Sequence, residues 1–323
     1  MKEKMKYANI KGLEKKISNL IMGNDNQTEY DSAAKLWDHW MSVGGNAFDN
    51  AHIYGGGSME KLLGLWQFKR NVRDDIVIIV KGAHTPNCDP KSISSQLTES
   101  LERLKIECAD IYIMHRDNLD IPVDEFIDVL NQEKQNGRIK IFGGSNWTLD
   151  RFREANDWAI SKDKEPMSIL NNNLALCKMI KPLWSGCISS NDKLIMKYLE
   201  ENQIAHLSWS SQGRGYFLPR KIREFIEDKI TKDESAWRKP GEHSSGPISC
   251  YDSEQNRERR KRAEDLAKKL NVSTQNIAGA WSLNQPFPSF ALIGPRKIEE
   301  IDTSLPSLEI SINKQQSEFL NLD

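Results

Sequence analysis

Four residues of this 323-residue chain could together hand a proton to a substrate: Asp49, Tyr54, Lys81 and His115. The stretch from Gly44 to Gly64, GGNAFDNAHIYGGGSMEKLLG, ends a short apolar run on Asp49, places Tyr54 five residues later in a glycine-rich turn, and continues into a helix-like segment with Glu60 and Leu63. IVIIVKGAH brings Lys81 to the end of a second apolar run, and DIYIMHRD brings His115 to the end of a third. A phenol with a pKa near 10 is a reluctant donor at neutral pH. An ammonium about 4 Å away, at an effective dielectric near 20, would favour the phenolate by roughly 4 kcal/mol, about a thousandfold in ionisation. A lysine kept charged beside apolar strands requires a carboxylate, and Asp49 is available. Histidine is both donor and acceptor, so His115 could orient a carbonyl oxygen or share the proton. Taken singly, each residue has an ordinary structural explanation: a plain ion pair for Asp49 and Lys81, a satisfied core group for His115. Their conjunction at successive run ends predicts Tyr54 as a general acid with three supporting groups.

The elements that would position them alternate in period. Strand-like runs fall at 20–25, 46–51, 76–83, 110–115, 139–146, 167–172, 204–211 and 289–296. Between them lie amphipathic segments: 29–45, where Tyr30, Ala33, Ala34, Trp37, Trp40 and Met41 share a face, 58–68, 90–104 opened by Pro90, 122–136 ended by Gly137, one through Ile160, and 191–202. Eight β-then-α units with mostly apolar strands imply a parallel sheet covered on both faces, and in this length they fit a closed (β/α)8 TIM barrel of the α/β class as a single domain, 1–323. In such barrels the carboxyl ends of the strands carry the chemistry. The absence of G-x-G-x-x-G after the first strand argues against an open dinucleotide-binding sheet. One stretch breaks the rhythm. Residues 212–256, after the seventh strand, read as a long loop with partial helix at 220–230, expected to cover a cofactor or substrate. The basic run Arg257 to Arg262 reads as the solvated start of the next helix.

A formal net charge of −1 and a pI near 6.6 give no bulk reason to expect nucleic acid or an anionic membrane. The amino-terminal segment lacks the apolar stretch of a signal peptide, and no run approaches the roughly 18 apolar residues of a membrane span, so a cytoplasmic location is expected. Five cysteines, odd in number and without a C-x-x-C pair, predict reduced thiols and no metal site.

On these residues the chain resembles the aldo-keto reductase superfamily over nearly its whole length. DNAHIYG is similar to the family's D-x-A-x-x-Y-G stretch, with Glu60 and Gly64 in its E-x-x-L-G continuation; IVKG resembles the lysine strand, IMHRD the histidine strand, and GGSNW the G-x-S-N turn. The resemblance implies a (β/α)8 barrel and NAD(P)H-dependent reduction of an aldehyde or ketone to an alcohol, with Tyr54 as general acid and Asp49, Lys81 and His115 supporting it.

It also implies cofactor contacts. Ser145 and Asn146 match positions holding the nicotinamide carboxamide, with Asn172 standing where the family has a glutamine on the sixth strand, and Trp209 matches the aromatic that stacks on the nicotinamide. WSSQGRG resembles the pyrophosphate loop, implying Ser210, Gln212 and Arg214. IGPRKIEEIDTSL resembles the adenosine-phosphate segment, implying Gly294, Arg296, Glu300 and Ser304, and Gly23 joins this set at the end of the first strand. An arginine near the ribose favours a 2′-phosphate and hence NADPH, whereas the Glu300 carboxylate would repel one, so NADH stays an alternative. His52, His84, Asn118 and Trp147, each just past a strand end, are candidate substrate contacts suited to a polar, sugar-like carbonyl. A second reading is a dinucleotide-binding regulatory or sensing subunit with little turnover. An aldolase using Lys81 as a Schiff base would need a depressed lysine pKa, which a paired Asp49 opposes. The partner expected is a small-molecule carbonyl compound; subunit number is not encoded in these motifs.

Overall fold

Each barrel strand is short and carries apolar side chains, and each amphipathic segment after it needs an apolar face to lie on, so the strands pair in parallel with the helices outside. The computed structural model describes residues 5–231 and 246–323. It opens with an antiparallel hairpin absent from the sequence-based expectation, β1 (Tyr7–Ala8) and β2 (Ile17–Ser18). Ile10, Leu13 and Ile17 of this hairpin pack into the same cluster as the barrel interior and so plug its amino-terminal end. The units follow as β3 (Leu20–Gly23), α1 (Tyr30–Ser42), β4 (Ala47–Ala51), α2 (Ser58–Arg70), β5 (Val77–Gly82), α3 (Pro90–Leu104), β6 (Ala109–Met114), α4 (Val123–Gln135), β7 (Ile139–Ser145), α5 (Leu149–Ser161), β8 (Ile169–Asn171), α6 (Lys193–Asn202) and β9 (Ala205–Ser208). Then come α7 (Arg220–Thr231), α8 (Pro247–Tyr251), α9 (Glu254–Leu270), α10 (Thr274–Leu283), β10 (Ser289–Ile293), α11 (Ile298–Asp302) and α12 (Lys314–Asn321). The eight strands β3 to β10 close into a parallel barrel, with β10 pairing both β3 and β9.

Alternation divides each strand. Residues of one parity, including Ile21, Ala47, Val77, Ile79, Ile111, Ile113, Ile141, Ile169, Leu207, Phe290 and Leu292, fill the barrel; those of the other, including Met22, Phe48, Ile78, Val80, Tyr112 and Phe142, pack against the helices.

Residues 212–256 contain more helix than expected. A 3-10 turn at Gly213–Gly215, α7, α8 and the first residues of α9 all lie within this range, whose central part, 232–245, is outside the described residues. The Glu227 carboxylate on α7 accepts from the backbone N–H of Ile248 at 2.7 Å, satisfying an otherwise free donor at the start of α8 and tying the two described ends together. The basic run on α9 is not a purely solvated face. Arg259 is buried and donates to Asn256 and to the Asn321 carbonyl, and Arg262 donates to the Phe319 carbonyl at 2.7 Å, because the last carbonyls of α12 need donors. The helices α10 and α12 are further elements beyond the sequence-based reading.

Two motif residues have structural work. Gly64 sits where an added Cβ would lie 2.2 Å from the Arg103 carbonyl oxygen, so its lack of a side chain is what lets α2 lie against the end of α3. Buried Glu60 pairs with Arg103 at 3.1 Å in the same contact. At the amino-terminal end of the barrel, the buried Asp110 carboxylate accepts from Arg73 (2.8 Å), Lys140 (2.7 Å) and the Ile78 N–H (3.0 Å). Burial alone would raise its pKa, but Arg73, Lys140 and the Ile78 amide hold it below the usual carboxylate value. Asp110→Ala should therefore cost about 1–3 kcal/mol, read as a lower urea midpoint, because the buried Ile78 N–H loses its acceptor and the part-exposed Arg73 and Lys140 lose their shared partner. With the folded pKa depressed, this contribution is complete above the unfolded value near 4 and is lost as pH falls through the folded value, so the variant should also lose part of the acid sensitivity below pH ~4.

No cysteine among the described residues forms a disulfide. Among the described residues no helix is long and apolar enough to cross a membrane.

Candidate active site

The inward parity that fills the barrel with isoleucine and valine continues, at the carboxyl ends, into a layer of different character. Two residues beyond Ile21 stands Gly23; beyond Ala47, Asp49; beyond Ile79, Lys81; beyond Ile113, His115; four beyond Ile141, Ser145; and two beyond Ile169, Asn171. Asp49 is in register with Ile79, so Lys81, two positions on, faces the same interior. The Lys81 ammonium donates to the Asp49 carboxylate at 2.6 Å, and both residues are 3% exposed. Tyr54 enters from a 3-10 turn, Tyr54–Gly57, with the Lys81 nitrogen 5.0 Å from its ring centre. The His115 ring meets the Tyr54 ring edge-on at 5.7 Å and the His84 ring at 4.9 Å.

Electrostatics assign the protons. Burial alone would depress Lys81, but Asp49 outweighs it and holds the ammonium above its ordinary value. Burial pushes Asp49 upward against the pull of Lys81, so the pair shares its proton with the amine as holder. For Tyr54 the expected lowering by Lys81 does not win: burial, with Asp49 assisting, carries the phenol up to about 12. Lys81 opposes this without reversing it, because its own charge is largely cancelled by Asp49. Burial, reinforced by Lys81, Arg116 and His84, drops His115 well below its ordinary value and keeps the imidazole neutral. The cluster is thus a protonated phenol, a neutralised ammonium–carboxylate pair and an uncharged imidazole.

These groups floor an open cavity of about 2740 Å³, well beyond the roughly 300–1,000 Å³ of a drug-sized site. Its wall includes Gly23, His84, Ser145, Asn146, Trp209, Ser210, Gln212, Arg214, Gly294, Arg296, Glu300 and Ser304. Several wall residues hold left-handed backbone without being glycine: Asn146 (φ 59), Ser210 (φ 52) and Arg214 (φ 53). Such conformations cost about 1–3 kcal/mol and gather at functional sites.

Residues 19–321 match the family model described as the Aldo/keto reductase family. The chain belongs to the aldo/keto reductase family. It is therefore an NAD(P)H-dependent oxidoreductase of the kind that acts on carbonyls. It is 22% identical to norsolorinic acid reductase A of Aspergillus parasiticus, over 92% of this chain and 71% of that protein. It is 24% identical to the aryl-alcohol dehydrogenase [NADP(+)] of Phanerodontia chrysosporium, over 90% of this chain and 75% of that one. In fold it resembles a thermostable aldo-keto reductase crystallised with the inhibitor epalrestat, at a TM-score of 0.72 and 19% identity, covering 98% and 99% of the two chains.

Four expected site residues of this aldo/keto reductase lie away from the cavity wall. Asn172 has the outward parity: fully buried, it accepts from the Trp147 N–H at 3.2 Å and donates to the Trp147 carbonyl at 2.9 Å. Asn171 takes its place on the wall, donating to the Leu207 carbonyl at 2.6 Å with its own oxygen buried and unpartnered. Trp147 is fully buried against Phe126, because the left-handed turn at Asn146 breaks the alternation and swings the next side chain out of the barrel. His52 binds Glu99 on α3 at 2.9 Å, and Asn118 donates to the Cys88 carbonyl at 3.0 Å, so both fasten loops. The sequence reading missed Arg116, although it follows His115 within IMHRD, and the segment Trp184 to Ile188, which lines the cavity from a loop without a recognisable motif.

Proposed function

We propose that this reductase converts an aldehyde or ketone to its alcohol with Tyr54 as the proton donor. The observation that supports this most is the Tyr54 phenol, held protonated beside a buried Lys81–Asp49 pair and a neutral His115. When bound, the nicotinamide supplies the hydride. Tyr54 gives its proton to the carbonyl oxygen as charge develops there; Lys81 stabilises the resulting phenolate, Asp49 fixes and charges Lys81, and His115 offers one N–H and one lone pair to orient the oxygen.

The wall suits a dinucleotide. Arg214 carries a buried Nε without a hydrogen-bond partner and stacks on Trp184 at 5.0 Å; desolvation lowers its pKa. A buried guanidinium in that state gains from an anion, which supports Ser210, Gln212 and Arg214 as pyrophosphate contacts. Ser145, Asn146 and Asn171 would hold the carboxamide and Trp209 the ring face. Arg296, already bonded to Asn26 at 3.0 Å, stands with Gly23, Gly294, Glu300 and Ser304 at the adenosine end. The Glu300 carboxylate is turned onto the Arg296 N–H at 2.6 Å, which leaves the guanidinium for a 2′-phosphate and favours NADPH. The described part of the excursion that lines the cavity, from Gln212 to Ile230, would cover this cofactor. Arg214→Gln is expected to raise the NADPH dissociation constant about tenfold to a hundredfold by fluorescence titration, with a smaller effect on kcat.

Ile53, Trp184 and Ile188 give the substrate side an apolar lining around His84 and His115. This suits a ring-bearing carbonyl with polar substituents, in keeping with relatives named for aryl alcohols. Oxidation of NADPH by the purified protein against a panel of aromatic and sugar aldehydes tests the reading: tight cofactor binding with no turnover on any of them would reject it.

A further inference from the structure

Arg116 is a buried cation that neither the proton-transfer cluster nor the dinucleotide contacts employ. It follows His115 directly, lines the cavity and is 9% exposed. One terminal nitrogen donates to the His115 carbonyl at 2.9 Å; the other reaches the Cys187 thiol at 4.0 Å, a weak acceptor. Among the described residues no carboxylate pairs with it. Its neighbour Asp117 is taken in a two-pronged contact by Arg151, at 2.9 and 3.1 Å. The other charges nearby do not balance it: Lys81 and Asp49 cancel each other, His115 is neutral, and Asp25 is a solvent-exposed group three strands round the barrel that accepts from Asn26. The electrostatic influence of both Arg116 and Arg214 reaches Cys187, so this end of the cavity carries uncompensated positive charge.

A guanidinium has five N–H donors, and burying it without an anion is costly. Its planar fork takes a carboxylate or a phosphate in two parallel bonds, and the cofactor phosphates are already assigned to Arg214 and Arg296, which leaves a carboxylate for Arg116. We propose that Arg116 binds a carboxylate on the substrate, so that the compound reduced here is a carbonyl that also bears a carboxylate, placed on the His115 side of the reacting oxygen. The apolar Trp184 and Ile188 would bracket the carbon frame joining the two groups. This rests on the reading of Tyr54 as proton donor.

The test measures kcat/KM, with NADPH saturating, for 4-carboxybenzaldehyde and for its neutral methyl ester. The wild-type enzyme should prefer the acid at least about tenfold, a preference that shrinks with added salt. Arg116→Gln should lower the acid-to-ester ratio by about tenfold or more, and Arg116→Lys should recover part of it, whereas a merely structural role would change both substrates alike. Equal kcat/KM for acid and ester in the wild type, or a ratio unmoved by Arg116→Gln, overturns the proposal. Failure to reduce either aldehyde would instead count against Tyr54 as donor. Calorimetric binding of benzoate and benzamide to wild-type protein loaded with NADPH then decides the role of Arg116 without turnover or a variant: benzoate binding at least tenfold tighter supports it, and equal binding sinks it.

Discussion

Replacing Tyr54 by phenylalanine is expected to lower kcat for carbonyl reduction by roughly 10²–10⁴-fold, with the NADPH dissociation constant held within about twofold. The substitution removes a hydroxyl and nothing else from a ring whose edge contact with His115 at 5.7 Å and whose position over Lys81 are kept. Stopped-flow single turnovers separate hydride transfer from product release, and comparable single-turnover rates in the variant would dismiss Tyr54 as the acid. The pH profile is a second check with a fixed sign. An acid must be protonated to act, so its contribution disappears as pH rises through its pKa. Because burial carries Tyr54 up to about 12, the rate of reduction should show no falling limb from this group below about pH 10. A limb between about pH 7 and 9 would assign the proton to another residue.

Lys81→Met should act on both rate and stability. The ammonium opposes the rise of the Tyr54 pKa but is largely cancelled by Asp49, so its support of the phenolate is below the roughly 4 kcal/mol of an isolated pair and turnover should fall by about tenfold to a hundredfold. Folding should suffer as well. Asp49 is 3% exposed and would be left a buried carboxylate without its partner at 2.6 Å, a defect of about 3–5 kcal/mol unless it takes up a proton. The Asp49→Asn/Lys81→Met double variant should therefore be less destabilised than the sum of the two single changes, a coupling that urea unfolding measures directly. Additive effects would show that the pair is not a unit. The double variant should stay as inactive as Lys81→Met, because stability is regained without the ammonium.

How far the molecule was legible in its residues follows from which interactions are local. The eight short apolar runs and the amphipathic segments between them specify a closed parallel barrel through period and length alone, and the site groups mostly fall where those runs end. Parity was readable too: counting by two from Ile169 selects Asn171 rather than Asn172, and counting from Ile113 selects His115. The count fails at Trp147, because the left-handed Asn146 just before it leaves no trace in composition.

The hairpin Tyr7–Ser18 and helix Lys314–Asn321 escaped notice because each is short and owes its place to long-range partners: the barrel interior in one case, Arg259 and Arg262 in the other. The fate of charge was equally closed to inspection of the chain. Residue types nominate a tyrosine, a lysine and an aspartate, but only their depth fixes that burial outweighs Lys81 at the phenol, and only the pairing of Asp117 with Arg151 leaves Arg116 without a carboxylate partner among the described residues. Local periodicity is written into consecutive residues, so the amino-acid order determined the barrel and nominated the proton-transfer cluster. Solvent exclusion and partner choice depend on atoms far apart in the chain, so the tertiary structure alone decided which groups hold protons and that Arg116 lines the cavity while Asp117 is held by Arg151.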